Sequence, residues 1–278
     1  MQGLRTIDSE VTEALDLMAE GLYADAQPLL ARAVAFAPSD ERAYELWVGC
    51  HLHMGAAARV IALADAGILR GLCPASLHTL KAFAFSALQR NDEARVAAET
   101  ALALDPTSST AVEALAAAQV ALGQTAAAVE TYQQAIARIP EDPDLHFALL
   151  ELLRDLAAGD TLIESARAYL RKFEKDADVL SILGHAYLEK LDFRRAERAF
   201  REAAEIEPDD VERHVDVLIS IYGGGQPGRG ERFLEALTDR DEELAEQVVD
   251  EFELRMAAVH AAYGQPSTQH ESDDETAG

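Results

Sequence analysis

Basic residues are scarce in this chain of 278 residues, in which 24 lysines and arginines stand against 50 aspartates and glutamates, for a formal net charge of −26. Nucleic acids are polyanions that proteins bind through basic faces, so this composition argues against a nucleic-acid partner. The same charge disfavours binding to an anionic membrane surface. No apolar run approaches the roughly 18 residues that indicate a membrane-spanning helix, so no membrane partner is expected.

Cysteine is rarer still, since Cys50 and Cys73 are the only two. Two cysteines cannot build a disulfide framework, which favours a reducing compartment. The opening segment MQGLRTIDSEV contains neither the basic region nor the apolar core of a secretory signal peptide, so no such signal is expected. These absences together predict a cytoplasmic protein.

One interval, 34 residues, recurs along the sequence either singly or doubled. A fixed interval of this length indicates internal repeats. A proline cannot continue a helix, and small residues allow two helices to approach closely. Three sets of four residues share the interval: Pro38, Pro106, Pro140 and Pro208; Ala26, Ala94, Ala128 and Ala196; Ala33, Ala101, Ala135 and Ala203.

These positions resemble the signature of the tetratricopeptide repeat family over about residues 7–222. The resemblance implies an all-α, right-handed solenoid of about six to seven helix pairs with a C-terminal capping helix. Two stretches match best. The first carries Leu183, Gly184, Tyr187, Ala196, Phe200, Ala203 and Pro208, and the second carries Leu115, Gly123, Ala128, Tyr132, Ala135 and Pro140.

The domain boundaries follow from the repeats and from glycine. Residues 1–222 are predicted to be the solenoid, with irregular helix pairs at 41–74 and 143–176. Residues 223–230 contain five glycines and are predicted to be a hinge loop. Acidic helices that cap the solenoid are expected over 231–263. A disordered acidic tail is expected over 264–278, because that segment lacks apolar residues that anchor a chain to a core.

No motif predicts catalysis or a cofactor. The glycine-rich segment lacks the lysine and the serine or threonine of a phosphate-binding loop, and it follows a helix instead of a strand. Cys50, His51 and His53 lie near one another in sequence, but too few of them share a helix face to form a structural zinc site, so two surface imidazoles and a buried thiol are expected. We therefore predict no enzyme activity, no metal and no cofactor.

In the tetratricopeptide repeat family, the first helix of each pair lines a concave surface where partners bind. The lysine and asparagine that clamp chaperone C-terminal tails in some family members are absent, since Glu45, Thr79 and Glu113 stand at equivalent positions. The resemblance instead implies a groove with an apolar centre and acidic flanks. Its predicted residues are Glu45, Leu52, Leu80, Phe83, Glu113, Ala117, Val120, Glu151 and His185.

A groove of this kind predicts a non-catalytic scaffold or adaptor whose partner is a protein, bound through an apolar or amphipathic segment with basic flanks. Two alternatives stay open at this point. One is a chaperone for an aggregation-prone or secreted client, similar to the small acidic repeat chaperones of bacterial secretion systems. The other is an enzyme or nucleotide binder centred on residues 223–230. The sequence does not indicate the oligomeric state.

Overall fold

The computed structural model describes residues 7–263, which form fifteen α-helices and no strand. Seven consecutive helix pairs are followed by one longer helix, so the all-α repeat architecture is confirmed. The helices are α1 (Ile7–Ala19), α2 (Tyr23–Phe36), α3 (Glu41–His53), α4 (Ala57–Leu69), α5 (Pro74–Ala87), α6 (Asn91–Leu104), α7 (Ser109–Ala121), α8 (Thr125–Arg138), α9 (Pro143–Asp155), α10 (Gly159–Lys172), α11 (Ala177–Glu189), α12 (Phe193–Ile206), α13 (Val211–Gly223), α14 (Pro227–Arg240) and α15 (Glu242–Tyr263).

The helices belong to two compact units that divide at Leu152/Leu153, within α9. In the first unit, α1 through α8 pack in chain order, and α5 also contacts both α3 and α7. In the second unit, α10 through α13 pack in chain order, and α15 contacts α13 and α14. Contacts between first helices of neighbouring repeats bring their side chains onto a shared face, which is the arrangement that a helical-repeat stack requires.

Four odd-numbered helices begin at side-chain caps that recur with the repeat. Asp40, Ser108, Asp176 and Asp210 precede α3, α7, α11 and α13, and each accepts a hydrogen bond from a backbone N–H in the first turn. Such caps satisfy donors that the helix itself leaves unpaired and contribute about 1 kcal/mol each. Asp40, Ser108 and Asp210 each lie two residues after a repeated proline, and Asp176 lies two residues after Glu174, which occupies the same position of its repeat. The 34-residue interval therefore determines both where helices end and where the next ones begin.

A left-handed residue joins the two helices of every pair. The position falls at intervals of 34 residues, and φ there lies between 50° and 76°. Glycine adopts this conformation without a steric penalty, whereas other residues do so at a cost. Glycine occupies four of the seven positions, in the order Gly21, Gly55, Gln89, Gly123, Ala157, Leu191 and Gly225.

Replacing Leu191 with glycine is expected to stabilise the protein. Leu191 has φ 57° and is 72% exposed, so glycine relieves backbone strain and gives up little burial. The strain is worth about 1–2 kcal/mol, and the entropy that glycine loses on folding offsets about 0.5–1 kcal/mol of it. Urea unfolding should show Leu191→Gly slightly above wild type and the converse variant, Gly123→Leu, below it. A destabilised Leu191→Gly would contradict the strain at this position.

Glycines inside helices serve a second purpose, which is close helix packing. A Cβ at Gly184 would lie 2.5 Å from Cε1 of Phe200, and a Cβ at Gly67 would lie 2.6 Å from Cδ1 of Leu77. Both distances are shorter than atoms allow, so α11 with α12, and α4 with α5, approach as closely as they do only with glycine there. The irregular repeats nevertheless each contain two helices, α3 and α4 in one and α9 and α10 in the other, and they bury Val60 and Leu162 at the expected small-residue positions.

The glycine-rich segment differs from the loop predicted for residues 223–230. Gly223 is the last residue of α13, and α14 begins at Pro227, four residues earlier than the Glu231 start predicted. Proline is well suited to the first turn of a helix. Gly223 and Gly230 lie inside helices, and a Cβ at either would collide with Phe193 or Tyr222, respectively, which explains why glycine stands there. Glycine therefore allows close contact between helices here, and only residues 224–226 lie between α13 and α14.

The tail predicted for 264–278 lies outside the described residues.

Candidate partner-binding surface

All nine residues predicted to line the groove lie on odd-numbered helices. Eight of them belong to the first unit, where we call the surface presented by α1, α3, α5, α7 and α9 up to Leu152 the odd-helix face. His185, the ninth, lies on α11 in the second unit.

Three of the predicted apolar side chains pack partly into the core. Leu52 and Leu80 are half-buried and pack against the same core cluster, and Leu80 also lies close to the backbone of α3 at Gly49. Phe83 is half-buried against a second cluster, which contains Ala82 and Ala114. These side chains hold α3, α5 and α7 together, so only part of their surface is open to a partner.

Ala117 and Val120 form the open apolar part of the face. Both lie on α7 and are exposed, Val120 by 40%. They follow Glu113 by one and two helical turns, so the three residues form a strip along the same side of α7. The strip carries a carboxylate at its N-terminal end and apolar side chains beyond it.

Carboxylates crowd the N-terminal end of this strip. Burial raises the pKa of Glu113, and the negative charges of Asp144 and Asp142 raise it further. Burial also raises the pKa of Tyr132 to about 12, with contributions from Glu113 and Glu151. Glu113 and Glu151, predicted from the sequence, are thus brought into one negative region. Sequence reasoning missed Tyr132, Asp142 and Asp144, although Asp142 stands two residues after Pro140, at the capping position of the repeat.

A second negative region surrounds Cys73, beside α3 and α5. The Cys73 Sγ lies 3.4 Å from Oε2 of Glu41. Burial raises the pKa of Cys73 to about 12, and Glu41, Glu45 and Asp40 add to the effect. Glu45 and Glu113 occupy equivalent positions two repeats apart, so the same edge of the odd-helix face is acidic at α3 and at α7.

His185 belongs to a network within the second unit. Its Nε2 lies 3.5 Å from Oδ2 of buried Asp216 on α13, and Arg255 on α15 lies 3.3 Å from the other oxygen. The hydrogen bond with Asp216 raises the pKa of His185, although burial and Arg255 lower it. The network links α11, α13 and α15.

The stabilising effect of His185 is expected to depend on pH. Because the pKa of His185 is raised above its ordinary 6.5 in the folded protein, its contribution is complete below pH 6.5 and is lost as pH rises through the raised value. His185→Gln should therefore lower the free energy of unfolding more at about pH 5.5 than at about pH 8.5. Urea unfolding at the two pH values measures this difference. An equal decrease in the free energy of unfolding at both pH values would show that His185 does not form a protonated pair with Asp216.

The group of Cys50, His51 and His53 is not arranged to bind a metal. Cys50 is buried and donates to the Tyr23 carbonyl oxygen at 3.1 Å, while His53 stacks on the Tyr23 ring. The expectation of two surface imidazoles is wrong for His51, which is buried because it packs against Trp47 and meets Arg59 of α4. Among residues whose side chains the structure describes, no three histidines, cysteines or carboxylates are placed to hold a metal ion.

A stack of two-helix repeats with a shared face of first helices defines the class of helical-repeat proteins. Within residues 7–263, no helix combines the length and the apolar character needed to cross a bilayer. Two family models, both described as tetratricopeptide repeat, match residues 86–153 and 177–210. Residues 86–153 and 177–210 therefore contain tetratricopeptide repeats, and repeats of this kind indicate a protein-interaction scaffold.

Solved structures agree on the fold. A thermophilic TPR protein from Thermus thermophilus is 20% identical with a TM-score of 0.54, covering 66% of this chain and all of that one. The C-terminal part of a TPR repeat-containing protein from Cytophaga hutchinsonii is 16% identical with a TM-score of 0.59, covering 70% and 78%. A tetratricopeptide repeat protein from Parabacteroides merdae is 12% identical with a TM-score of 0.54, covering 79% and 86%. No curated protein matches this sequence.

Proposed function

We propose that the chain is a non-catalytic scaffold and that the odd-helix face of its first unit binds an apolar or amphipathic protein segment with basic residues beside it. The observation that carries the proposal is the strip on α7, where exposed Ala117 and Val120 adjoin the carboxylate of Glu113. Apolar side chains supply contact area that water leaves on binding, and the carboxylate determines which flanking charge is favoured.

The electrostatics of the α7 end favour a basic partner. Glu113 forms no ion pair with any residue whose side chain the structure describes, and the neighbouring carboxylates raise its pKa. Burial is the larger cause of the raised pKa, and a lysine or arginine supplied by a partner would offset the repulsion from the carboxylates and so lower the pKa of Glu113. The acidic edge continues at α3, where Glu45 lies near two further carboxylates around Cys73.

The geometry of the face favours an occupant with two distinct sides. Glu45 and Glu113 share one position of the repeat, and Leu52 and Val120 share another, seven residues further along the same helices. A segment lying across α3, α5 and α7 therefore meets carboxylates along one side and apolar side chains along the other. An amphipathic helix with lysine or arginine beside its apolar stripe has the complementary pattern.

Capture of a partner by wild type and by an Ala117→Arg/Val120→Arg variant tests this function. The two arginines remove the open apolar surface and repel basic flanks. Loss of a partner that wild type retains supports the odd-helix face as the binding site. Equal capture by both proteins would place the interaction elsewhere.

A further inference from the structure

A pocket of about 320 Å³ in the second unit carries the opposite charge to the rest of the protein. It lies among α10, α11 and α12. Leu180, Leu183 and Tyr187 of α11 form its apolar floor. Its rim carries three arginines: Arg167 of α10 and Arg195 and Arg198 of α12.

The sequence around the pocket is locally basic. Residues 167–202, which include every residue that lines the pocket, contain nine lysines and arginines against seven aspartates and glutamates, in a chain where acidic residues outnumber basic ones twofold. A local excess of cations in such a chain gives this region a potential opposite to its surroundings. The partner it favours therefore differs from the one that the odd-helix face favours.

Internal ion pairs neutralise the rim only in part, because two of its three arginines have carboxylate partners. Arg167 has no carboxylate partner among the residues whose side chains the structure describes. Arg195 pairs with Asp192 at 3.1 Å, and Arg198 pairs with Glu202 at 3.1 Å. Glu202, which also lines the pocket, is shared with Lys175 at 2.9 Å. Two carboxylates therefore stand against four cations, which are Arg167, Lys175, Arg195 and Arg198, and the group keeps a net positive charge.

The rim is able to adapt to a ligand. The side chains of Arg195 and Arg198 are 69% and 81% exposed, and the Arg195 guanidinium lies 5.7 Å from the centre of the Tyr187 ring. Exposed ion pairs are worth less than about 1 kcal/mol, so they exchange readily for carboxylates of a partner. Arginine also forms two-pronged hydrogen bonds with carboxylates.

We propose that this pocket binds an acidic peptide segment of a partner protein, with one apolar side chain inserted between Arg167, Arg195 and Arg198. The pocket has room for a leucine or phenylalanine side chain, and the arginines favour aspartates or glutamates on either side of it. The site is separate in residues and in charge preference from the odd-helix face. The chain thereby presents one face for a basic segment and one pocket for an acidic segment.

The test is fluorescence anisotropy with a labelled peptide that has a central phenylalanine between aspartates. The full chain is compared with Arg167→Gln/Arg195→Gln and with a control, Arg138→Gln/Arg232→Gln, that removes the same charge from exposed positions outside the pocket. We expect saturable binding by wild type and by the control, and at least tenfold weaker binding by the rim variant. Circular dichroism checks that all three remain helical, and Ala117→Arg/Val120→Arg should bind this peptide like wild type.

Two further peptides decide between specific and general attraction. Replacing the phenylalanine with serine should weaken binding at least tenfold, and replacing the aspartates with asparagine should do the same. Inorganic phosphate should displace the peptide only at concentrations that act through ionic strength. No saturable binding by wild type, equal binding by the rim variant, equal binding of the serine peptide, or specific displacement by phosphate would each overturn the proposal.

Discussion

Phe200→Ala is expected to lower the free energy of unfolding by about 3–5 kcal/mol, the usual cost of removing a fully buried phenylalanine. Phe200 is among the largest side chains that are completely buried, and it fills the space that Gly184 leaves between α11 and α12. Alanine would leave a cavity that two closely packed helices cannot easily close. Urea unfolding followed by circular dichroism measures the change.

Leu254→Ala is the matched control for this variant, because Leu254 lies in the same unit and is 66% exposed. It should change the free energy of unfolding by no more than about 0.5 kcal/mol. A double variant gives a sharper test of the contact itself. Gly184→Ala should destabilise wild type but do much less harm beside Phe200→Ala, since the clash is then gone. Additive effects would contradict the close contact between Gly184 and Phe200.

Ala117→Arg/Val120→Arg is expected to weaken capture of the partner about a hundredfold, which corresponds to about 2.7 kcal/mol. Two guanidinium groups would have to be buried against an apolar anchor, and they would repel its basic flanks. Because both side chains are exposed, folding should be unaffected. Quantitative mass spectrometry of proteins retained by each immobilised variant measures the loss.

Val96→Arg/Leu104→Arg is the control for the binding variant. Both residues lie on α6 in the same unit, each is 52% exposed, and the change in charge is identical. This control should retain the partner at the wild-type level. Loss of the partner from the control as well would mean that net charge, and not the odd-helix face, governs capture.

The repeat architecture was predictable because the 34-residue period recurs at several independent positions of the sequence. Prolines and alanines keep the interval of 34 residues, and so do the caps and the left-handed positions such as Gly123. The helix start at Pro227 was not predictable from composition. Clustered glycines usually indicate a loop, and only the three-dimensional contact of Gly230 with Tyr222 shows why glycine is needed inside α14.

The candidate site was predictable only as a set of positions. Periodicity assigns Leu52, Phe83 and Val120 to first helices, but it does not show that Leu52 and Phe83 are half-buried while Val120 is open. That difference depends on neighbouring helices, and it makes Ala117 and Val120 better positions for substitution than Leu52 and Phe83. The negative region around Glu113 likewise depends on residues of the next repeat, Asp142 and Asp144.

Site-specific photocrosslinking from Val120 tests whether the odd-helix face binds the partner. A photoreactive amino acid is placed at Val120 in one protein and at Val96 in another, and crosslinked segments from the native lysate are identified by mass spectrometry. We expect Val120 to crosslink to an apolar or amphipathic segment with lysine or arginine beside it, and we expect no such crosslink from Val96. Crosslinking of the same segment from Val96 alone, or equally from both positions, would contradict binding at the odd-helix face.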